Sequence, residues 1–497
     1  MNNSIYSTVI TSKTGVQLPL LQNGKSIESR YNPEREAESQ LLQFEKNTAF
    51  FLVIGIGSGI LIKKMHEAFP QAKIIALENN QADIEFLTGL SLIKEIQKSE
   101  RVIFTCTEKL NSELCKNYIP ALHGNLKIYE NRVWVLENRD FFQKIQNEIN
   151  KALAQISSDF SVQTHFGKIW QSNIMKNLKL ASKISSKTAG GGNKKKAAVI
   201  AAGPSFDETI NLLLKQDDYY IISTDTAFST LLKYGLIPDA VISLDGQTVS
   251  FNHYLHKNLN QLNQTEFYFD LSANFSAAKK ISDNKLKLFY FTSGHPLSSA
   301  ARSFSENKII NLYSGSGTVT ITAVDLAVKK GFSQIDLFGA DFSYSKGKAY
   351  TKGTYLEALY QIWQTKIFSY EKLFDSLMFR TELIKKDFEH FSNPVLESYK
   401  DSLENYLKSM NFSFVNSDNL YRITLKKSSQ ESKTEFIEKE IPKFNYEGFI
   451  KKLKSGSESD YVFLLPYIAW LRKKMNFTDC KFEDLHKLAS QSLLSYN

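Results

Sequence analysis

The feature that most constrains the fold of this chain is a repeated alternation of short apolar segments with helical segments. Each apolar segment ends in small or polar residues, as is typical of a strand buried on both faces of a parallel sheet. Strands that alternate with helices predict a mostly parallel sheet covered by helices on both faces. We therefore predict an α/β fold, and we expect ligand-binding groups at the carboxyl ends of the strands.

Two such regions are separated by SSKTAGGGNKKK at 185–196, which has no apolar periodicity and is typical of an exposed linker. The region before it contains the predicted strands FFLVIGIGSG, KIIALE, RVIFTC and RVWVLE, and turns helical from about Asp140 to Leu180. The region after it contains the predicted strands AAVIAAGPS, YYIISTDTA, AVISLDGQ, EFYFDLS, KLFYFTSG, KIINLYSGSG and QIDLFGADF.

A third region, from about Lys427 onward, is charged and is predicted to be helical. It includes YVFLLPYIAWL at 461–471, an apolar run that is too short to span a bilayer. The length of 497 residues agrees with about three domains, at roughly 100–200 residues each. The first residues lack a basic stretch followed by an apolar one, so we expect no signal peptide.

Charge and cysteine content exclude several classes of function. The 61 basic and 52 acidic side chains give a net charge of +9, but the lysines form short clusters among many acids. No basic stripe or nucleic-acid-binding motif accompanies them, so we expect no nucleic-acid partner. Three cysteines without a CxxC pair argue against a disulfide scaffold and a zinc site, and they fit a reducing cytoplasm.

Two glycine-containing turns follow predicted strands. The first contains Gly55, Gly57 and Gly59 and precedes a helix, while Glu78 ends the next strand and could accept hydrogen bonds from a ribose. The pattern fits a nucleotide-binding loop and a purely structural turn equally well. In the second turn Gly203 allows close backbone approach, Pro204 favours entry into a helix, and Ser205 could cap that helix or donate to a phosphate.

Polar residues follow the later strands at similar positions. Asp225 and Thr226 come after the second strand of this region, Asp239 and Asp245 bracket the third, and Asp341 ends the last. A loop before a helix also contains Ser316, Gly317 and Thr318. Because the strand ends of a doubly wound sheet meet at one crevice, these side chains predict a site for a polar ligand.

The segments AAGPSF, STDTAFSTLLKYGLIPDAVISLD, GSGTVTITAVDLAVKKGFSQIDLFGADFSY and KAYTKGT together resemble the motility-associated factor (Maf) glycosyltransferases. VIGIGSG with IIALENN is similar to their N-terminal Rossmann-like domain, and HFGKIWQSNIMKNL, with Trp170, Asn173 and Asn177, is similar to their connecting helix. The central part also resembles bacterial CMP-sialate-dependent sialyltransferases. The likeness covers roughly residues 50–425 and includes FVNSDNLYRI, which resembles the element closing the catalytic domain.

The resemblance implies four segments. They are an N-terminal Rossmann-like domain at 1–165, a connecting helix and linker at 166–196, a sialyltransferase-like doubly wound α/β domain at 197–426, and a helical C-terminal domain at 427–497. It also implies a cytoplasmic, inverting enzyme that transfers a nonulosonic acid of the pseudaminic or legionaminic type. The donor would be a CMP-nonulosonic acid, and the acceptor a Ser or Thr of flagellin. The sequence carries no signal for the oligomeric state.

Site roles follow from the same resemblance. CMP would lie on the turn formed by Gly203, Pro204 and Ser205, with Asp225, Thr226, Asp245 and Asp341 nearby, and Ser316, Gly317 and Thr318 would contact the sugar carboxylate. Tyr344 and Tyr350 would face the donor phosphate and stabilise the departing CMP without a metal. The chain contains no Asp-x-Asp, so we expect neither a metal nor another cofactor. His390 and His295 are weak candidates for the general base, which stays unassigned.

Three other functions fit parts of the sequence. A hydroxymethylpterin pyrophosphokinase has a related central domain and would use ATP and Mg²⁺. A methyltransferase would bind S-adenosylmethionine at the loop of Gly55. A non-catalytic flagellin-binding or chaperone protein would bind no nucleotide.

Overall fold

The computed structural model describes residues 4–187, 194–215, 218–256, 259–306, 308–315, 317–417, 420–426, 440–441, 443–455, 462–474, 476 and 480–496. The chain divides into two compact units, the first being Met1–Lys168 with Leu464–Ser492, the second Ile169–Phe463 with Leu493–Asn497. Among the described residues, no helix is both long enough and apolar enough to cross a membrane.

The first unit begins with an antiparallel hairpin and continues as a four-stranded parallel sheet. The hairpin pairs β1 (Tyr6–Thr11) with β2 (Gln17–Leu21). The sheet consists of β3 (Phe50–Ile54), β4 (Lys73–Glu78), β5 (Val102–Cys106) and β6 (Lys127–Glu130), in the spatial order β5-β4-β3-β6. All five residues of β3 are buried, as its apolar sequence predicts for an inner strand.

Eight helices connect or follow these strands. They are α1 (Pro33–Leu41), α2 (Ile60–Ala68), α3 (Gln81–Leu87), α4 (Ser91–Ile96), α5 (Thr107–Asn117), α6 (Pro120–His123), α7 (Arg132–Glu137) and α8 (Arg139–Ala181). The last of these has 43 residues and confirms the predicted helical stretch from Asp140 to Leu180. It begins in the first unit and ends in the second.

The prediction that RVWVLE forms a strand is wrong, because these residues are helix α7. The side chain of Asn131 accepts hydrogen bonds from the backbone N–H groups of Val133 and Trp134, which caps the helix at its first turn. The sheet position next to β3 is taken by β6, immediately upstream. The run of valine and tryptophan that suggested a strand instead carries Trp134 into the core.

The second unit contains a nine-stranded sheet in the order β13-β12-β11-β10-β9-β8-β14-β19-β18 and two small sheets. In chain order, the strands of the unit are β7 (Ser186–Lys187), β8 (Lys196–Ile200), β9 (Tyr219–Thr224), β10 (Ala240–Ser243), β11 (Glu266–Asp270), β12 (Lys287–Thr292), β13 (Ile310–Asn311), β14 (Gln334–Phe338), β15 (Tyr344–Ser345), β16 (Ile384–Lys385), β17 (His390–Ser392), β18 (Phe412–Ser417), β19 (Leu420–Leu425) and β20 (Glu440–Ile441). All seven strands predicted after the linker are present, and they pair in parallel.

Helices cover both faces of this sheet, as the alternation predicted. They are α9 (Phe206–Leu214), α10 (Asp225–Lys233), α11 (Phe275–Asp283), α12 (Pro296–Phe304), α13 (Val319–Lys329), α14 (Tyr355–Trp363), α15 (Tyr370–Met378), α16 (Pro394–Ser409) and α17 (Tyr446–Ser455), with a 3₁₀ helix at Thr248–Tyr254 and another at Asn260–Leu262. Alternate residues of β8 belong to two different apolar clusters: Ala197 and Val199 to one, Ala198 and Ile200 to the other. The strand is therefore buried on both faces.

The C-terminal region does not form a unit of its own, which corrects the predicted helical domain at 427–497. α18 (Leu465–Lys474) belongs to the first unit, as does most of α19 (Phe482–Leu494), whereas α17 belongs to the second. α18 is buried on most sides, and the guanidinium of Arg472 in its last turn donates to the carbonyl oxygens of Ala121 and Leu122. Within the predicted linker, 188–193 lie outside the described residues.

Candidate functional site

The strand order places a topological switch point between β8 and β14. From β8 the chain adds β9 to β13 on one side of the sheet, and it then returns to place β14 on the other side. In open α/β sheets, ligands bind outside the carboxyl ends of the strands, near such a switch point. The predicted Gly203 turn follows β8, and Asp341 follows β14, so the fold brings these two predicted site segments together.

The two loops are in direct contact. The Gly203 N–H donates to the carbonyl oxygen of Gly339 over 2.7 Å, and the Ser205 N–H donates to Asp341 Oδ2 over 2.8 Å. The Ser205 hydroxyl donates to Asp341 Oδ1 and makes no cap hydrogen bond to α9, although it precedes that helix. The expectation that Ser205 caps the helix is therefore wrong, because a carboxylate 136 residues away in the chain takes its hydrogen bond. Burial raises the pKa of Asp341, and the two hydrogen bonds from Ser205 oppose this rise.

Asp225 and Asp245 follow the next two strands toward the sheet edge. Asp225 opens α10, with Oδ2 accepting from the Ser243 hydroxyl and Oδ1 from the Thr226 N–H, both over 2.8 Å. Asp245 Oδ1 accepts from the N–H of Gln247, and burial together with the nearby charge of Asp225 raises the pKa of Asp245. Two carboxylates thus follow neighbouring strands at this edge of the sheet.

Asp239 lies at the opposite edge of the sheet, which corrects its predicted place in the crevice. It precedes β10, and its Oδ2 accepts from the N–H of Ile221 near the start of β9. An acid on the amino-terminal side of a parallel strand lies one strand length away from an acid on its carboxyl side.

Two asparagines of α8 support the crevice loops. Asn173 Nδ2 donates to the carbonyl oxygens of Gly246 and Ser272, and Asn177 Nδ2 donates to those of Leu271 and Ala273. All four carbonyls belong to the segments that follow β10 and β11. These amides therefore fix the loop that carries Asp245.

Tyr344 and Tyr350 approach the same edge from the segment that follows Asp341. Tyr344 lies in β15 and its hydroxyl contacts Asn393 Nδ2 at 3.4 Å. Burial raises the pKa of Tyr350 to about 12, and the charges of Tyr344 and Asp225 add to this rise. The next residue, Thr351, donates its N–H to the carbonyl oxygen of Ala202 and so ties the tyrosine loop to the Gly203 turn.

The predicted sugar loop follows β13 and leads into α13. Ser316 lies outside the described residues. Gly317 has φ +88° with open space where a side chain would begin, and Thr318 caps α13 by accepting from the Thr320 N–H. The buried carboxylate of Asp325 accepts from the Tyr313 N–H and the Tyr406 hydroxyl, so this acid fixes the start of the loop.

The two histidines predicted as weak base candidates occupy different settings. His390 lies in β17, paired in register with Ser345 next to Tyr344, and its Nδ1 contacts the Asp387 carboxylate at 2.8 Å. His295 precedes α12, where its Nδ1 accepts from the Leu297 N–H, and burial lowers its pKa to about 3. It packs edge-on against Trp170.

Sequence reasoning missed His253 and Tyr355. His253 lies in the 3₁₀ helix at Thr248–Tyr254, eight residues after Asp245, and its ring meets that of Tyr355 edge-on with centroids 4.5 Å apart. Burial raises the pKa of Tyr355 to about 12, and nearby Tyr350, Asp245 and Asp225 add to the rise. The sequence does place a histidine shortly after an acid at the end of a strand. It contains no pattern that predicts contact between this histidine and a tyrosine about 100 residues later.

The first glycine loop is filled by the first unit itself. Glu78, completely buried, accepts from the Ile56 N–H, the Tyr6 hydroxyl and the Trp134 indole N–H, so its carboxylate is already engaged. Gly55 lies against Trp134, and a Cβ there would meet the indole at 2.8 Å.

A second carboxylate covers the rest of this loop. Glu28 accepts from the N–H and the hydroxyl of Ser58, and a Cβ on Gly57 would meet the Glu28 carboxylate at 2.8 Å. Gly59 has φ +85° and would meet the Ile93 side chain. In this structure the predicted nucleotide loop thus binds the protein's own carboxylates.

The crevice of the second unit combines groups that can donate and groups that can accept hydrogen bonds. It offers tyrosine hydroxyls as hydrogen-bond donors, carboxylates as acceptors for sugar or ribose hydroxyls, and the capped start of α13. A helix N-terminus favours a negatively charged group. Groups of these kinds can form hydrogen bonds with a polar ligand at this sheet edge.

Comparison of the structure with solved structures identifies the fold. The chain matches the structure of a Maf glycosyltransferase from Magnetospirillum magneticum AMB-1 with a TM-score of 0.57 and 11% sequence identity, over 100% of this chain and 93% of the other. The two proteins share a fold, and the predicted Maf-like α/β architecture is confirmed. A family model described as 6-hydroxymethylpterin diphosphokinase MptE-like matches residues 168–347, which include the Gly203 turn, the acids of the crevice and Tyr344.

Two curated relatives come from Treponema pallidum (strain Nichols), and both are uncharacterized proteins. One is 35% identical over 147 residues, which is 29% of this chain and 70% of the relative. The other is 33% identical over 144 residues, 28% of this chain, and the match spans about half (51%) of that relative. At this identity and coverage, the chain belongs to the same family as the first of these treponemal proteins.

Proposed function

We propose that this protein is a glycosyltransferase that transfers a nonulosonic acid from its CMP-activated form to a Ser or Thr hydroxyl of flagellin in the cytoplasm. The observation that carries the proposal is the crevice at the β8–β14 switch point, where the Gly203 turn, Asp225, Asp245 and the two tyrosines come together. The fold, shared with the Maf glycosyltransferase from Magnetospirillum magneticum AMB-1, supports the same assignment. Pseudaminic and legionaminic acids are the donor sugars that we propose.

The proposed chemistry follows from the groups at the crevice. The tyrosine hydroxyls donate to the donor phosphate, and they strengthen these hydrogen bonds as negative charge develops on the departing CMP. Burial raises the pKa of Tyr350 to about 12, so its phenol stays protonated, and therefore able to donate, from neutral pH well into the alkaline range. Gly317 and Thr318 at the start of α13 receive the sugar carboxylate. The acceptor hydroxyl attacks from the face opposite the phosphate, which inverts the anomeric configuration.

Binding of CMP tests the site directly. We expect CMP to raise the temperature of thermal unfolding, and Tyr350→Phe to lose most of the catalytic rate, by roughly 10²-fold, because one donor to the leaving group is removed. Tyr234→Phe is the matched control, since Tyr234 lies exposed at the end of α10 and its loss leaves the crevice intact. Protein that ignores both CMP and CMP-sugars would refute the proposal.

A second candidate is a pyrophosphokinase that acts on a hydroxymethylpterin with ATP and Mg²⁺. The match of residues 168–347 to the MptE-like family model is the specific observation that favours it. The two candidates separate in one comparison. Stabilisation by CMP and not by ATP with Mg²⁺ favours the transferase, and the reverse pattern favours the kinase.

A further inference from the structure

A histidine outside the predicted site lies near two acids of the crevice, Asp225 and Asp245. His253 lies in the 3₁₀ helix at Thr248–Tyr254, in the segment that follows Asp245, and only 6% of it is exposed. No described residue forms a hydrogen bond with its Nδ1, although this nitrogen is fully buried. An unpaired buried nitrogen costs free energy, so such a group in a native structure requires an explanation.

A second unpaired polar atom belongs to the residue next to the tyrosine that covers His253. Thr354 is completely buried, and its hydroxyl has no hydrogen-bond partner among the described residues. Tyr355 follows it and packs edge-on against the imidazole, while its own side chain is only partly buried. The two unsatisfied polar atoms belong to His253 and to the residue before Tyr355, and a polar group of a ligand could satisfy them.

Charges from the neighbouring elements suit a proton acceptor. Burial lowers the pKa of His253, and the carboxylates of Asp225 from α10 and Asp245 from the loop after β10 oppose this shift. From α11, Lys280 donates to the carbonyl oxygen of Tyr254 and lies over the ring of Phe251. The two carboxylates would stabilise the imidazolium that forms when the ring takes a proton.

We propose that His253 is the general base of the transfer reaction, an assignment that rests on the proposed function. Rotation of Tyr355 admits the acceptor hydroxyl to the imidazole. The hydroxyl proton passes to Nδ1 while the acceptor oxygen forms a bond to the anomeric carbon. The bond from that carbon to the phosphate oxygen breaks, and its electron pair leaves with CMP. The imidazolium then releases its proton to solvent.

The other two histidines near the crevice are less suited to this step. The Nδ1 of His295 is engaged by the Leu297 N–H, and its Nε2 is buried and, like the Nδ1 of His253, unpaired within the described part of the chain. However, no carboxylate among the described residues opposes the burial that lowers the pKa of His295 to about 3. His390 is partly buried in β17, and its Nδ1 already contacts the carboxylate of Asp387. His253 combines burial in the crevice, an unpaired nitrogen and two nearby carboxylates.

The test compares His253→Asn and His253→Ala with wild-type protein, using a CMP-nonulosonic acid and purified flagellin. We expect both variants to bind CMP as the wild type does and to lose roughly 10²–10⁴-fold in transfer rate, the usual contribution of a general base. Added imidazole should restore part of the rate to His253→Ala. His256→Asn is the matched control, because His256 is a neighbouring histidine whose Nε2 already contacts the carbonyl oxygen of His253.

The pH profile of the wild type gives a readout that a structural role would not move. The transfer rate should rise with pH as the imidazole loses its proton, and this limb should be absent in His253→Asn. If the transfer rate of the wild type does not rise with pH in this way, His253 is not the general base, even if the variants fail to fold. Equal transfer by wild type and His253→Asn overturns the base alone. A wild type that binds no CMP overturns the proposed function, and the base assignment with it.

Discussion

Replacing Gly203 by alanine places a methyl group in the contact between the two loops of the switch point. The new Cβ would lie 2.5 Å from the carbonyl oxygen of Gly339 and 2.7 Å from Asp341 Cγ, whereas ordinary contacts begin at 3.4 Å. The overlap of about 0.9 Å with a backbone atom cannot be relieved by a side-chain rotation. Overpacking of this kind costs about 1–3 kcal/mol.

The same displacement reaches the proposed donor site. Gly203 N–H and the carbonyl oxygen of Gly339 form the hydrogen bond that joins the loops, and the Ser205–Asp341 pair lies directly beyond it. Moving the loops apart therefore breaks the turn on which we place CMP. Domains of 150–250 residues lose about 2–4 °C in unfolding temperature for each kcal/mol, and larger ones lose less. We therefore use about 2 °C for each kcal/mol in this larger unit, so a cost of about 1–3 kcal/mol should lower the unfolding temperature by about 2–6 °C.

The assay is thermal unfolding of Gly203→Ala with and without CMP. Gly235→Ala is the control, because Gly235 has φ +75° and open space around it, so its methyl costs about 1 kcal/mol of backbone strain without a collision. We expect the control to be destabilised and still bind CMP, and Gly203→Ala to be destabilised and lose binding. A Gly203→Ala protein that unfolds at the wild-type temperature and binds CMP with wild-type affinity would refute the reasoning.

Three further predictions concern other parts of the molecule. Asp325→Ala removes the acceptor of the Tyr406 hydroxyl and of the Tyr313 N–H. We expect the free energy of unfolding to fall by about 3 kcal/mol in urea unfolding, and calorimetry to show weaker binding of the sugar nucleotide. Burial raises the pKa of Glu28 from about 4.5 to about 7, so the folded state binds this proton more tightly than the unfolded state does. The free energy of unfolding of the wild type should therefore fall as the pH rises from about 4.5 to 7. Glu28→Gln should reduce this slope in unfolding scans, and an unchanged slope would contradict the raised pKa of Glu28. Because Trp134, Glu28 and Glu78 fill the first glycine loop, S-adenosylhomocysteine should not raise the unfolding temperature, and a clear rise would show that the loop opens to a ligand.

The parallel sheets were predictable because buried strands carry continuous apolar runs that end at small or polar residues. The same rule failed for RVWVLE, where a capping asparagine begins a helix within an equally apolar run. Local sequence marks strand ends but not which sheet edge an acid occupies, so Asp239 was placed in the crevice although it lies on the other side.

The features that the sequence did not predict depend on contacts between residues that are far apart in the chain. Ser205 stands at a position typical of a helix cap, but its hydroxyl donates a hydrogen bond to Asp341, which follows the strand on the other side of the switch point. Glu28 comes from the segment after the N-terminal hairpin and fills a loop that looked free. The contact of His253 with Tyr355 likewise depends on the packing of α14, and no periodicity in the sequence reports it.

The most direct measurement of the central claim is the intact mass of flagellin produced together with this protein and a CMP-nonulosonate pathway. We predict mass increments equal to whole nonulosonic acid residues with the wild type and with Tyr234→Phe, and largely unmodified flagellin with Tyr350→Phe. If flagellin stays unmodified with the wild type while the CMP-sugar accumulates in the same cells, the proposed transfer is contradicted.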